Sequence, residues 1–566
     1  MATLPKSQED TAANIQKEKN NEAHKDKVEF EDLLSSAGEL GTYQILMFFA
    51  TFPFYTFGVF SYYGQLFMTE VSPNHWCWIP ELENLTVVER MDLAIPKDNS
   101  SRLGYSRCTA YDVDWKSVLD SGQKPNYTWN TVPCEHGWEF NKSEIPYSTI
   151  SSELGWVCEK DNYQATAQAI YFVGSVIGGL VVGWVSDRFG RLPAAIASNI
   201  FGCIGGVLST FAQNFVQFAV CRLIVGMSYD NCMMMAYLIV LEYVSPKYKT
   251  IFANLTSGIF YTVAVTALPW LILVCGHWKV ISLAMSLPLG LVLLAPFYMP
   301  ESSRWLLSKG RVDEAVEKII TIGRINKKQI PPKMIEQFKL TANVNSNETH
   351  SFLEIFKRPS VRNVFIYTCL VYMSCVIVFD GLIRSIGNLN FDFFVAFSVV
   401  SVTEFPSLIL VAFTLDIVGR RWLTFSMLIV SCLFCFISVF AYTGLQSLIC
   451  AVVARFAVNA SIAALTQWAV ELLPTSVRGS GTSILHTCGY VASVLSPYIV
   501  YLNVYIDGLP LIILSSISAI AAFVSILIPE TGNRDLPHTF SDVDNIYKDQ
   551  KIWQLPRPRK EILRSE

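Results

Sequence analysis

Residues 183–191 read Gly183-Trp-Val-Ser-Asp187-Arg188-Phe-Gly190-Arg191, and residues 412–420 end on the same Asp-x-x-Gly-Arg pattern. Both stretches lie between two long apolar runs, and they are 229 positions apart, as the pair Asp187 and Asp416 shows. Other residues recur at this offset: Gly190 with Gly419, Arg191 with Arg420, Glu242 with Glu471, Lys249 with Arg478, and Pro300-Glu301 with Pro529-Glu530. A constant offset at several charged positions indicates two homologous halves.

Apolar runs dominate both halves. Of the 566 residues, 52% are hydrophobic and 16% are charged, and the mean hydropathy is +0.36. Twelve runs approach the roughly 20 residues that a helix needs to cross a bilayer, and their continuous apolar character favours helices over alternating strands. The runs lie at 43–68, 163–185, 194–212, 215–241, 251–275, 280–299, 361–383, 391–415, 422–442, 447–472, 482–504 and 509–528. We therefore predict an all-α membrane protein with twelve transmembrane helices in two six-helix bundles.

Lysine and arginine predict the orientation of this chain. They crowd the connections after the second and sixth runs, and the positive-inside rule places such loops in the cytoplasm. The connection at 70–160 then lies outside and both termini lie inside. The predicted organisation is a cytoplasmic tail at 1–42, a first bundle at 43–299, a cytoplasmic linker at 300–360, a second bundle at 361–529 and a cytoplasmic tail at 530–566. Both tails are charged, show no signal peptide, and are expected to be flexible and regulatory.

The outer connection at 70–160 has the composition of an oxidised, glycosylated ectodomain. It holds four cysteines and four Asn-x-Ser/Thr sequons. The cysteines allow three disulfide pairings, between which the sequence does not choose. The cysteines are Cys77, Cys108, Cys134 and Cys158, and the sequons are at Asn84, Asn99, Asn126 and Asn141.

The repeated charges are candidate gating residues. The turn at Asp187 joins two helices tightly on the cytoplasmic side, and its carboxylate is expected to meet a cation or helix terminus of the other bundle. Such contacts would hold the inner side closed. Arg222 and Arg455 are also expected near the cytoplasmic ends, where they would pair between bundles. The predicted gating residues are Asp187, Arg188, Arg191, Glu242, Asp416, Arg420, Glu471 and Arg478.

The Gly-x-x-x-Asp-Arg-x-Gly-Arg turn is a signature of the major facilitator superfamily, and four further stretches narrow the resemblance. They are Ser72-Pro-Asn-His-Trp-Cys77, Pro133-Cys-Glu-His-Gly-Trp138, Ser148-Thr-Ile-Ser-Ser-Glu153 and Pro300-Glu-Ser-Ser-Arg-Trp-Leu-Leu307. Over residues 41–537 the chain resembles the organic cation, organic anion and carnitine transporter family, also called solute carrier family 22. The resemblance implies a substrate site between the halves and alternating access. Sugar porters share parts of the pattern, but they have a short first outer loop.

Four ionisable side chains are candidates for a role in the middle of the membrane, where each costs at least about 2.5 kcal/mol on insertion scales. Asp230 is a candidate counter-charge for a cation or a proton site, or a buried hydrogen-bonded acid. Asp380 and Arg384 lie four residues apart, so they either pair with each other or contact substrate. The resemblance implies substrate contact for Glu404, because cation carriers have an acidic residue in the eighth helix.

The resemblance also implies further substrate-binding positions. Tyr171, Tyr372 and Phe379 match ring positions that line the central cavity, with helix packing as the alternative interpretation, and Gln164 is a weaker candidate. Tyr490, seven residues before Pro497, occupies the charge filter of the eleventh helix. Cation carriers commonly have Asp there and anion or carnitine carriers have Arg, so a tyrosine leaves the substrate charge unassigned.

The count of three acids against the single base Arg384 favours a transporter of small organic cations, with zwitterions close behind. An organic anion carrier, a sugar-porter-like carrier and a non-transporting receptor are the alternatives. The sequence contains no phosphate-binding Gly-rich loop, metal-spaced cluster or nucleophile elbow, so we expect neither an enzyme nor a cofactor or metal. The expected partners are the substrate and the lipid bilayer of the plasma membrane, with no nucleic acid. Coupling ion and oligomeric state stay open.

Overall fold

The computed structural model describes residues 30–543 apart from 99–103, 123–124, 127, 246, 249–251, 253–254, 343–353, 390, 475–476, 533–536 and 538–541. Two positions named above, Asn99 and Lys249, lie outside the described residues, as do most of the two predicted tails.

Twelve apolar helices form the body of the described chain and confirm the predicted all-α membrane fold. Eleven of them are long and apolar enough to cross a bilayer, and the last one has 17 residues. Their bounds are Thr42–Thr69, Cys158–Phe189, Arg191–Ser209, Phe215–Glu242, Gly258–Cys275, Trp278–Tyr298, Pro359–Asn388, Phe393–Val418, Arg420–Val439, Gly444–Leu472, Arg478–Val504 and Leu509–Ser525. We refer to them as the first to twelfth membrane helices.

The repeated turn has the same construction in both bundles. Gly190 and Gly419 adopt φ values of +117° and +89°, which L side chains rarely adopt, so one helix ends there and the next begins immediately. The carboxylates of Glu301 and Glu530 accept the N–H groups that start the third and ninth membrane helices, at 2.8 Å and 3.0 Å. A carboxylate at a helix N-terminus satisfies unpaired donors and the helix dipole. This contact explains the repeated Pro-Glu pairs.

The outer segment between the first two membrane helices folds as a small domain, which we call the ectodomain. Strand β1 (His75–Cys77) pairs antiparallel with β4 (Trp138–Phe140), and β2 (Thr109–Tyr111) pairs antiparallel with β3 (Thr131–Pro133). Short helices lie at Val87–Ala94, Trp115–Ser121 and Ile150–Leu154. Disulfides join Cys77 to Cys134 and Cys108 to Cys158, so the two bridges interleave along the sequence. The structure thereby selects one of the three pairings.

The linker between the bundles contains helices at Ser303–Ser308, Val312–Ile325, Pro332–Ala342 and Glu354–Lys357. A helix at Phe30–Ser36 packs among them. Its side chains Phe30, Leu33 and Leu34 are buried because their spacing puts them on one helical face. This part of the N-terminal tail is therefore ordered, contrary to the expectation of a flexible segment.

The candidate gating residues pair inside their own bundles in this structure. Asp187 binds Arg191 at 2.9 Å, and Asp416 binds Arg420 at 2.9 Å. Arg420 also reaches Glu471 at 3.0 Å. The expected contacts of Asp187 and Asp416 with the opposite bundle are not formed, and their side chains are 80% and 74% exposed. Each carboxylate instead forms an ion pair with the arginine four residues later in the same bundle.

The remaining candidate gating residues also contact groups of their own bundle. Glu242 accepts a hydrogen bond from Ser302, Arg188 stacks 5.4 Å from the Trp184 ring, and Arg478 donates to the carbonyl of Leu473. These contacts stabilise the ends of helices and do not join the two bundles.

The two bundles meet from the midplane to the ectodomain side. Phe67 of the first membrane helix packs against Phe397 of the eighth, with ring centroids 4.9 Å apart. Nearer the outer surface, the Tyr498 hydroxyl lies 3.4 Å from that of Thr166 on the second helix. In this conformation the bundles are therefore closed against each other on the ectodomain side.

Candidate functional site

Four tyrosines from both bundles, two of them buried and two partly buried, form a ring cluster at the centre of the protein. Tyr62 of the first membrane helix stacks on Tyr229 of the fourth, with centroids 4.6 Å apart and planes 26° apart. Tyr171 of the second helix lies 6.2 Å from Tyr62, and Tyr490 of the eleventh helix lies 5.7 Å from Tyr229. Stacked and edge-on rings in this distance range stabilise each other and offer electron-rich faces to a cation.

Two carboxylates are bound to opposite ends of this ring cluster. The Tyr62 hydroxyl donates to Asp380, and the Tyr490 hydroxyl donates to Asp230. Tyr62 and Asp230 belong to the first bundle, whereas Asp380 and Tyr490 belong to the second. Each hydrogen bond therefore joins the bundles, and the two are reciprocal.

Asp380 and Arg384 form no ion pair among the described residues, so the alternative in which they neutralise each other does not hold here. Asp380 is only 2% exposed and takes its hydrogen bond from Tyr62. The Arg384 guanidinium lies 6.0 Å from the Tyr62 ring and 5.4 Å from the Phe172 ring. Its Nε atom is buried without a hydrogen-bond partner in the described part of the chain. Arg384 is thus available to an anionic group.

The fourth membrane helix is broken where it carries Asp230. It consists of two segments, Phe215–Gly226 and Asn231–Glu242, and Asp230 between them has φ +59°. A non-glycine residue in this region costs about 1–3 kcal/mol. The repeat-related Asn459 lies inside the unbroken helix Gly444–Leu472. Discontinuous helices mark substrate sites in many transporters, and here the break positions an acid beside the ring cluster.

Two buried arginines lie in the outer halves of their helices, so the prediction that they pair near the cytoplasmic ends is wrong. Their helices begin on the ectodomain side, 7 residues before Arg222 and 11 residues before Arg455. Arg455 binds Glu404 at 2.9 Å and lies 3.3 Å from the centre of the Phe379 ring. Arg222 donates to Ser209 at 2.9 Å. The charge of Glu404 is therefore balanced inside the second bundle.

A cavity of about 280 Å³ separates the ring cluster from the ectodomain. Its walls include Glu70, Gln164, Gln168, Arg384 and the ectodomain residue Arg107. We call it the outer cavity. Arg384 and Gln164, both singled out in the sequence, share it, whereas Asp230 and Glu404 are not among its lining residues.

Glu70 is half-buried just beyond the first membrane helix, in the wall of the outer cavity. Burial raises the pKa of its carboxyl group from an ordinary 4.5 to about 8, opposed by a hydrogen bond from Gln164. A methyl group at Gly387, on the seventh membrane helix, would lie 2.9 Å from Glu70 Oε1. The absence of a side chain at Gly387 therefore lets the second bundle close over this carboxyl group.

The described residues contain one close group of metal-ligand type, His75 with Cys108 and Cys158. The two sulfurs form a disulfide, so they offer no thiolate to a metal ion.

Residues 130–540 match the family described as sugar (and other) transporter, which is well over half of the chain. The protein belongs to that family. It is similar over 93% of its length, at 29% identity, to the carcinine transporter of Drosophila melanogaster, of which 80% is covered. The Drosophila melanogaster beta-alanine transporter is 28% identical over 91% of this chain and 89% of its own. Solute carrier family 22 member 1 of Bos taurus is 27% identical over 92% of this chain and 94% of its own length.

These sugar (and other) transporter relatives confirm the resemblance to solute carrier family 22. The xylose transporter XylE from E. coli, in an inward-open conformation, has the same fold, with a TM-score of 0.57, 15% identity, and coverage of 88% of this chain and 99% of its own. The protein is therefore a major facilitator transporter of small organic substrates and not an enzyme.

The structure brings most of the predicted site residues into or beside the ring cluster. Tyr171 and Tyr490 are members of the cluster, and Asp230 and Asp380 are bound to it. Tyr372 lies on a second-bundle helix, where its hydroxyl is 3.2 Å from His486 Nδ1.

Sequence reasoning missed four residues of this region: Tyr62, Tyr229, Arg455 as an internal counter-charge, and Glu70. A signal for Tyr62 was present, because Ser61-Tyr62-Tyr63 puts three hydroxyl groups into an apolar run. Such a polar patch in a membrane helix indicates a face turned away from lipid.

Proposed function

We propose that this protein carries small organic cations and zwitterions across the plasma membrane by alternating access. One observation supports this most: the buried carboxylate of Asp380 and the partly buried carboxylate of Asp230 each accept a hydrogen bond from a tyrosine hydroxyl at the edge of the ring cluster. An ammonium group can donate to such carboxylates and lie over the ring faces, gaining roughly 0.5–2 kcal/mol from the rings alone.

The balance of charge favours a ligand with a positive group. Arg455 neutralises Glu404, which leaves Asp230 and Asp380 against Arg384. The acid surplus is smaller than the sequence count, but its sign is the same. Arg384 has no ion-pair partner among the described residues, so a ligand carboxylate can bind it while an amine binds an aspartate. The relatives named for carcinine and beta-alanine point to amine-bearing ligands as well.

The reciprocal hydrogen bonds support a role in alternating access. They tie the bundles together near the midplane, while the cytoplasmic charges pair within each bundle. With the 70–160 segment outside and both termini in the cytoplasm, this conformation is closed towards the outside.

Uptake into liposomes that contain the purified protein tests the proposal. The panel is a primary alkylammonium ion, beta-alanine and an aromatic carboxylate, each radiolabelled. We expect uptake of the first two, a loss of both with Asp230→Asn, and a selective loss of beta-alanine with Arg384→Gln. Preferential uptake of the carboxylate would favour an organic anion carrier, and uptake of none would favour a non-transporting receptor.

A further inference from the structure

We infer that Tyr62 and Tyr490 are specificity-determining residues. Each hydroxyl is hydrogen-bonded to an aspartate carboxylate, and the substrate's positive group must displace that hydroxyl in order to bind the carboxylate. This inference rests on the proposed function and adds the residues that reject neutral solutes. Each tyrosine is an internal competitor for the substrate, supplied by the bundle opposite its aspartate.

The tyrosine hydroxyls make the empty site stable. Asp380 is almost fully buried, and an ionised carboxylate in such a place needs hydrogen-bond donors. Tyr62 supplies one donor, and at the other end Tyr490 does the same for Asp230. The binding free energy that a ligand gains at these sites is only the difference between the free energy of its own bond to the carboxylate and that of the tyrosine bond that it replaces.

That difference separates cations from neutral solutes. An alcohol or amide donates to the carboxylate from an uncharged group, as the tyrosine hydroxyl does, so replacing the tyrosine bond with its own bond gives almost no gain in binding free energy. An ammonium group also donates to the carboxylate, and it adds the attraction between two opposite charges, which is stronger inside a protein than in water. The rings of Tyr62 and Tyr229 remain beside the carboxylate and face the incoming cation. The two tyrosine–aspartate pairs therefore favour the binding of ligands with a positive group over the binding of neutral ligands.

The exchange also loosens the contact between the bundles, since each bond crosses from one bundle to the other. An amine that displaces Tyr62 from Asp380, or Tyr490 from Asp230, removes one of these ties at the moment of binding. The carboxylates that bind the ligand are then the same groups whose hydrogen bonds join the two bundles.

Tyr147, which lies outside the ring cluster, provides a matched control. Its side chain is buried, and its hydroxyl donates to the backbone carbonyl of Phe67 at 3.0 Å. Tyr147→Phe therefore removes a hydrogen-bonded tyrosine hydroxyl without freeing a carboxylate.

The test is equilibrium binding of an alkyl amine and of the alcohol of equal length to purified full-length protein. Tyr62→Phe and Tyr490→Phe should each lower the Kd of the amine by roughly tenfold, the size of one hydrogen bond to a charged group, and should make alcohol binding measurable. Tyr147→Phe should change the binding of neither ligand. In an Asp380→Asn background the effect of Tyr62→Phe should vanish.

The possible results separate this inference from the proposed function. A wild-type protein that binds no amine overturns both. A wild-type protein that binds amines, with Tyr62→Phe and Tyr490→Phe behaving like Tyr147→Phe, overturns this inference alone. Weaker amine binding in the phenylalanine variants also overturns it, because the hydroxyls would then contact the substrate directly. If one phenylalanine variant fails to fold, the other one gives the same decision, because Tyr62 and Tyr490 belong to separate hydrogen-bonded pairs.

Discussion

External pH should shift the protein between its outer-closed and outer-open conformations through Glu70. In the closed conformation burial raises the pKa of this carboxyl group to about 8, whereas a carboxyl group that meets water keeps a value near 4.5. One pKa unit corresponds to about 1.4 kcal/mol. Full exposure of the ionised Glu70 carboxyl group would therefore favour the open conformation by at most about 5 kcal/mol. Because Glu70 is only half-buried, water already reduces this figure.

The sign follows from the direction of the shift. A pKa raised in the closed conformation means that the protonated carboxyl group favours closure. This preference is complete below pH of about 4.5 and is lost as the pH rises through about 8. Between pH 6.5 and 8.5 the ratio of closed to open protein should fall by up to about twentyfold.

Charged neighbours leave this expectation unchanged. Asp161, Arg107, Arg384 and His75 line the same cavity, but the pKa shift of Glu70 has burial as its cause, with only the Gln164 hydrogen bond opposing it.

The assay is labelling by a membrane-impermeant maleimide of a cysteine introduced at Val500, which lines the outer cavity. The parent protein without this cysteine gives the background. Labelling of Val500→Cys should accelerate at high pH beyond the intrinsic reactivity of the thiol, and Glu70→Gln should remove that excess. Glu159→Gln, which changes an exposed carboxyl group on the same side, should retain it. The same pH profile in the Glu70→Gln and Glu159→Gln proteins would refute the reasoning.

Three further outcomes are expected. Cys158→Ser should lower the thermal stability of the protein, because a bridge over 50 residues contributes about 4 kcal/mol, and a stability equal to wild type would contradict this. Glycosidase treatment should increase gel mobility, and removing the exposed sequons Asn84 and Asn126 should abolish most of the shift. Asp187→Ala should change the turnover of transport and spare substrate affinity, since this exposed side chain lies away from the ring cluster; kinetics that show lost affinity at normal turnover would count against it.

The sequence predicted the fold because lipid imposes a simple rule. Backbone groups in a bilayer must bond within their own segment, so an apolar run of sufficient length is a helix. The duplicated Pro-Glu pairs could also be identified, since a helix N-terminus needs an acceptor wherever it recurs. These features depend on residues close in sequence or on the repeat itself.

The partners of the acids could not be predicted in this way. Tyr62 and Asp380 are 318 residues apart and meet only because two bundles pack against each other. The helix break at Asp230 contains no proline from which it could be predicted. The repeat-related residue Asn459 lies in a continuous helix, so the repeat does not predict the break either. Arg455 was misplaced because the start of its helix decides which half of the membrane it occupies. Cross-bundle packing and local backbone strain leave little trace in a single sequence.

The interleaved disulfides of the ectodomain have a consequence for its resistance to proteases. A single cut at any peptide bond between Cys77 and Cys158 falls inside at least one of the two bridged loops, because the second loop begins at Cys108 before the first one ends at Cys134. The two pieces then stay covalently attached. A nicked molecule would migrate as one species on a non-reducing gel and as two fragments after reduction, while its membrane helices remained joined across the cut.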